Sequence, residues 1–324
     1  MQLKITTLLI FINFFFLSLS INASYIFVSN ENSDTVTILD AKNKNIIKNI
    51  KTAGRPRDIE ISKNNKFLYI VESEDNQISI LDISKLEIID SFETGDDPEI
   101  FDIHPKEDLL AVSNEDDNQL TLINLKKKNI LKTINDVGVE PEGVNFSPNG
   151  KYIYVTSEGT SSILIISTTN YNIVNEILVG NRPRRGIFVN NGKEYWVSNE
   201  LSGSVSVIDT EKQDIKKNIQ FKIKGIKNQS ITPVDFAYSA IKNKVFVTLG
   251  NANHVAVVDA QKHTIEKYIL VGSRVWGAAI TKDEQELIVT NGNSDDISII
   301  DLDRMLTILS IPVGKTPHTV KISK

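Results

Sequence analysis

The chain has 324 residues, no cysteine, and 36 Lys and Arg against 41 Asp and Glu, for a formal charge of −5. Without cysteine there are no disulfides, thiolate metal sites, thiol redox chemistry or covalent c-type haem, and four histidines are too few for a His-rich metal protein. Charges of both signs run through the whole chain without a basic stripe, which argues against nucleic acid as a partner.

Residues 1–23 carry Lys4, an apolar stretch from Leu8 to Leu19, and the small residues Ala23 and Ser24 at the end. This pattern reads as a secretory signal peptide cut after Ala23, which exports residues 24–324 as one domain with no later segment able to span a membrane. Ile21 departs from the small residue expected two positions before the cut. The alternative is an uncut anchor over Ile5 to Ile21, at the lower limit for crossing a bilayer.

From Tyr25 onward one grammar returns about every 42 residues. It is clearest from Val137 to Ser167: Val144 and Phe146 alternate with polar neighbours, Ser147-Pro148-Asn149-Gly150 has turn chemistry, and Tyr152 to Val155 is β-branched and aromatic. A second polar tip and the run Ile163 to Ile166 follow, then a fourth segment from Tyr171 to Val179. The last residue of the third strand recurs as Asp40, Asp82, Asn124, Ser167, Asp209, Asp259 and Asp301. The turn before the first strand recurs at Gly54, Gly95, Gly138, Gly180, Gly272 and Gly314, with Pro233 marking the remaining copy. Four strands per period of ~40 to 45 residues mean propeller blades, so the expected fold is an all-β, seven-bladed β-propeller with four-stranded blades. The first copy begins directly with a second-strand pattern at Tyr25, and the chain ends on an orphan first strand, Pro317 to Ser323. Pairing those two closes the ring and removes exposed edges.

Strand direction alternates within a blade, so the turn entering the first strand and the tip between the second and third share one face. The residue after the turn proline is Arg57, Glu99, Glu142, Arg184, Val234, Trp276 and His318 in successive blades. This unequal ring predicts a polar pocket at one mouth of the central channel. Its arginine forks would suit a carboxylate or phosphate and Trp276 would form an apolar wall; drifting turns with weak surface ion pairs are the alternative. A second ring, Glu31, Glu74, Glu115, Glu158 and Glu200, has Asp75, Asp116, Asp117, Asp295 and Asp296 nearby. It offers oxygen ligands of the kind Ca²⁺ takes, or acceptors for turn amides. No resident cofactor is expected apart from such a cation. About eight extra residues near Phe221 to Thr232 lengthen one turn beside the mouth, as a lid or a neutral insertion. His254 and His318 fall on the mouth side and His104 on the opposite face. No nucleophile elbow, P-loop, zinc helix or dinucleotide fingerprint occurs.

Second strands such as YIVES, YVTSE, WVSNE and IVTNG, followed by third strands ending ISILD, SVSVID or ISIID, resemble the YVTN-type β-propeller repeats of exported proteins. The strings GRPRDI, GDDPEIFDIHP, VSNEDDN, GVEPEGVNFSPNGK, GNRPRRGIFVNNGKEYWVSNE, ITPVDF, VTLGNANHVAVVDA, VGSRVWGAAIT and TNGNSDDISIIDL resemble, in order, the PQQ-dependent catabolism-associated β-propeller proteins. That resemblance implies a periplasmic propeller linked to pyrroloquinoline-quinone-dependent alcohol oxidation, with a quinoprotein dehydrogenase or a transport component as partner. With only Trp196 and Trp276, the chain does not look like the dehydrogenase itself. The reading from sequence is therefore a non-catalytic accessory protein that binds a small anionic ligand or a partner at the mouth, rather than an enzyme. The rivals are a metal-assisted lactonase or hydrolase and a purely structural interaction module.

Overall fold

The computed structural model describes residues 24–324. The expected signal peptide and its alternative, a membrane anchor, fall on residues 1–23, outside the described residues. Among the described residues no helix is long and apolar enough to cross a membrane.

Seven four-stranded antiparallel sheets form the blades of the propeller. Blade 1 is closed as the chain ends imply: Pro317–Ile322 pairs with Tyr25–Asn30, which pairs in turn with Thr35–Asp40 and then Ile46–Lys51. Ile26 faces Ile322, Val28 faces Val320, and the Tyr25 amide donates to Ser323 Oγ at 2.7 Å. Blades 2 to 7 span 56–93, 98–135, 141–178, 183–220, 236–270 and 275–312.

The period-two pattern explains the layering. Second and third strands are buried on both faces, because each blade is sandwiched between two others. Fourth strands such as Asn129–Asn135 keep one buried residue, Ile134, and face solvent. Seven apolar clusters fill the seven seams between adjacent blades, for example Val36, Ile38, Ile59 and Ile70 between blades 1 and 2, or Trp196, Val205, Phe236 and Val247 between blades 5 and 6. Each fully buried Ile, Leu or Phe contributes about 1.5–3 kcal/mol, so the seams carry most of the stability.

The recurring Asp at the end of the third strand caps the next turn. Asp40 Oδ1 accepts from the amides of Lys42 and Asn43 at 2.8 Å, and Asp209, Asp259 and Asp301 do the same in their blades. Five of the turns before first strands are stitched to the preceding blade. Asp34, Asn76, Asn118, Asn253 and Asp295 accept from the amides of Arg55, Asp97, Glu140, Arg274 and Thr316 at 2.8–3.0 Å. Those five donors, and Arg182, have φ between 44° and 56°, a left-handed conformation that non-glycine residues adopt at a cost.

Candidate active site at the channel mouth

Five of the mouth residues sit at a register shift. Pairing between first and second strands slips between Pro56 and Ile59, Pro98 and Phe101, Pro141 and Val144, Pro183 and Gly186, and Val275 and Ala278. Such a bulge re-aims side chains at the rim of a sheet. Here it places Arg57, Glu99, Glu142, Arg184 and Trp276 against the channel.

The structure brings the charged members of this ring into one chain of ion pairs. Arg57 contacts Glu99 through Nη2, lies 3.0 Å from Glu31 and 3.7 Å from Glu142. Arg184 Nη2 is 2.9 Å from Glu142, and its Nη1 contacts Glu158. At the outer rim Arg55 reaches Glu31, Asp97 and Glu99 at 3.0, 3.3 and 3.4 Å, and Arg182 reaches Glu158 at 2.5 Å. The pairs therefore cross from blade 1 to blade 5. Arg57, Glu99, Glu142, Arg184 and His318 are each at most 5% exposed, so this is a desolvated network whose members depend on one another, in contrast to screened surface pairs.

Carboxyl groups outnumber guanidinium groups on the side of blades 3 and 4, and their proton affinities diverge. Burial pushes Glu99 up to about 8, with Arg57 opposing and Glu142 reinforcing the shift. For Glu142 burial works upward too, but Arg184 and Arg57 outweigh it and hold the carboxyl below the usual range. Burial, Glu142 and Glu158 push Glu115 up to about 7. Two neighbouring carboxyls thus differ in protonation at neutral pH, the arrangement by which acid and base roles are divided in one site.

Trp276 is the half-exposed member of the ring. The guanidinium carbons of Arg57, Arg184 and Arg274 lie 5.9, 5.4 and 4.9 Å from its ring centroid, and its indole packs on His318 at 4.6 Å. His318 Nδ1 is 2.9 Å from the carbonyl oxygen of Arg57. Below the ring, Arg185 spans the channel from blade 5 to Thr319 at 3.0 Å and Asp58 at 3.4 Å. The space beneath it, lined by Glu60, Asp102, Asn145, Asp235 and Lys321, measures about 160 Å³.

The second ring divides. Glu31 and Glu158 are bound by arginines, Glu200 lies 3.5 Å from Arg182, and Glu74 is exposed. Glu115 joins two groups whose oxygens lie within 4.8 Å of one another, Asp97–Glu99–Glu115 and Glu115–Glu140–Glu158. Neither His254 nor His318 belongs to them: His254 Nδ1 lies 2.6 Å from the Ala252 carbonyl. His104 braces a turn on the far face, receiving the Glu107 amide at 2.8 Å. The long turn is pinned by Phe221 and Ile231, each 1% exposed in the seam of blades 5 and 6.

Sequence reasoning missed a belt of hydroxyls that positions the ring. Ser29, Ser113, Thr156, Ser198 and Thr290 donate to the carbonyls of Arg57, Glu142, Arg184, Val234 and His318, each in the following blade, at 2.5–3.1 Å. Their signal is visible as the Ser or Thr before the last residue of these second strands.

Comparison with known proteins matches the cytochrome D1 heme domain family model over residues 104–324, more than half of the chain. The chain belongs to that family. A second model, the seven-bladed β-propeller lactonase, matches residues 16–141, and no curated protein matches in sequence. Among solved structures this family member resembles a putative 6-phosphogluconolactonase from Bacteroides fragilis (18% identity, TM-score 0.78, covering 94% of this chain and 99% of that one). It also resembles the periplasmic gluconolactonase of Pseudomonas aeruginosa (16%, 0.78, 93% and 99%) and hydrazine synthase of Kuenenia stuttgartiensis (17%, 0.76, 85% and 91%).

These findings correct the expectation of a non-catalytic accessory protein and the expectation that the chain is not an enzyme. The match of residues 16–141 to the lactonase model stands against both. In the structure the forks of Arg57 and Arg184 are shared with glutamates, while the Nε of each has no hydrogen-bond partner among the described residues. The family's name implies a haem, and the described residues of the channel do not fit one. A haem needs an axial side chain at the macrocycle and a pocket of several hundred Å³. Here the ring is cross-linked by Arg and Glu, the space below is about 160 Å³, and the ring's imidazole is packed against Trp276.

Proposed function

We propose that this protein is a lactonase-type hydrolase that opens the ring ester of a sugar-acid lactone at the channel mouth. The observation that carries the reading is the buried pair Glu99 and Glu142, bridged by Arg57 and driven to opposite protonation. Opening a lactone needs positive donors where the carbonyl oxygen gains charge, and a proton for the departing ring oxygen. Arg57 and Arg184 supply the first. Glu99, which keeps its proton to about pH 8, supplies the second, while ionised Glu142 holds both guanidinium groups in place. The lactonase match and the names of the neighbours support this choice of substrate.

The finer resemblance to PQQ-associated propellers is coherent with it. Oxidation of a cyclic hemiacetal at its anomeric carbon yields a lactone, so such a hydrolase would consume the product of a periplasmic quinoprotein oxidation. A Ca²⁺ held by Glu115, Glu140 and Glu158, the group that leaves Glu99 free, would assist by polarising the carbonyl.

The test is hydrolysis of glucono-δ-lactone followed by pH-stat, above the spontaneous rate. Activity in the wild type that falls at least 100-fold in Glu99→Gln supports the reading, and an inert wild type overturns it. Dialysis against chelator separates the two forms: loss restored by Ca²⁺ shows cation assistance, and unchanged activity shows that side chains suffice.

A further inference from the structure

The lactonase reading leaves one role unfilled, the base that activates water. His318 lies in Pro317–Ile322, the strand that closes the ring, is 2% exposed, and has an Nε2 atom with no hydrogen-bond partner among the described residues. A buried polar atom without a partner costs about 1–3 kcal/mol, so its retention calls for an explanation. The other nitrogen, Nδ1, faces the Arg57 carbonyl at 2.9 Å, with Thr319 Oγ1 at 3.2 Å. A carbonyl only accepts, so Nδ1 carries the proton and Nε2 is left with its lone pair. That is the tautomer a general base requires.

We propose that His318 Nε2 takes the proton from the water that attacks the lactone carbonyl, a role that rests on the lactonase reading. As the water oxygen bonds to the carbonyl carbon, one of its protons passes to Nε2. The oxyanion forms beside Arg57 and Arg184. Collapse breaks the bond from that carbon to the ring oxygen, which takes a proton from Glu99 and leaves as a hydroxyl. The product is the hydroxy acid. The imidazolium then releases its proton and Glu99 regains one from solvent, so one water is consumed and both groups are reset.

Two features suit the imidazole to this cycle. The indole of Trp276, half-exposed and 4.6 Å away, packs on the ring and limits the planes it can adopt. Burial and the nearby charges of Arg57, Arg185 and Arg184 hold His318 well below the ordinary imidazole range, opposed by the bond to the Arg57 backbone. The base is therefore free at neutral pH and sheds its proton readily after each turnover.

The experiment compares wild type with His318→Asn on glucono-δ-lactone. Asparagine can still donate to the Arg57 carbonyl but has no basic nitrogen, and circular dichroism with a thermal melt checks that the variant is folded. The expected result is turnover slowed about 100-fold or more, with KM within twofold, partial rescue by added imidazole, and wild-type turnover that stays flat between pH 6 and pH 7. A folded His318→Asn within threefold of an active wild type overturns this assignment alone. A wild type inert on lactones overturns the lactonase reading and this role with it. If the Asn variant unfolds, His318→Gln is measured in its place, and turnover within threefold of wild type again overturns the role.

Discussion

Glu142 shows how much of the mouth depends on one side chain. It is 1% exposed and lies 2.9 Å from Arg184 and 3.7 Å from Arg57, so its loss leaves two buried guanidinium groups short of a counter-charge. Glu142→Gln is expected to cost about 3–5 kcal/mol, read as a drop in Tm on the order of 10 °C. A drop under about 2 °C would show that the network relaxes around the change. Glu99 carries the opposite pH signature. Its folded-state proton affinity is raised to about 8, with Glu115 raised to about 7. The stability they contribute is full below the unfolded carboxyl value and is lost as pH rises through 7 to 8. Thermal melts should therefore show Tm falling as the solution is taken from weakly acidic to about pH 8, and Glu99→Gln should flatten that fall; an equal slope in the variant refutes it. The ring positions were legible in the sequence because the repeat fixes their phase. Pairing of these arginines with glutamates was legible as weak surface ion pairs; that the pairs would be buried, with Arg57 and Arg184 at most 5% exposed, was not, because side-chain reach into a channel is not encoded in spacing.

At the level of elements, the first strands carry the site and the second strands of the preceding blades hold it in place. Thr156 Oγ1 receives the Gly143 amide at 2.7 Å and donates to the Arg184 carbonyl at 2.5 Å, and so fixes two consecutive bulges. Thr156→Val keeps the shape and strands both groups. A loss of about 1–3 kcal/mol is expected, recovered in Thr156→Ser, with chemical denaturation as the measurement; equal stability in Val and Ser variants would contradict it. Gly277 tests the same coupling sterically. A Cβ there would meet the His318 carbonyl at 2.5 Å and the Thr319 Cα at 3.0 Å, so the closing strand must shift. Gly277→Ala should therefore reduce lactone turnover along with stability, whereas unchanged kinetics would show that the strand can move without disturbing the base. The blade count and the recurrence of Asp40 and its equivalents follow from periodicity, which a single sequence displays seven times; that these residues cap the next turn does not. The hydroxyl belt was equally periodic, but a Ser or Thr in a strand has many uses, and its partner in the next blade emerges only once the bulge is seen.

Across the whole molecule, closure and function meet in the same strand. Pro317–Ile322 completes blade 1 beside Tyr25–Asn30, and it places Val320 and Ile322 in the seam between blades 7 and 1 and His318 in the mouth. Without it, Tyr25–Asn30 becomes an unpaired, largely apolar edge, a template for aggregation. A chain ending at Gly314 is therefore expected to lose cooperative melting and to elute as aggregate. That result alone cannot distinguish loss of the strand from loss of chain continuity, so a permutant separates them. Joining residue 324 to residue 24 and opening the turn at Lys224–Gly225 keeps every blade and both pins, Phe221 and Ile231. If the ring is held by its seams and not by where the chain starts, the permutant melts cooperatively within a few degrees of wild type and retains lactone turnover. If it aggregates like the truncated chain, the order in which the blades are laid down matters more than the closed seam.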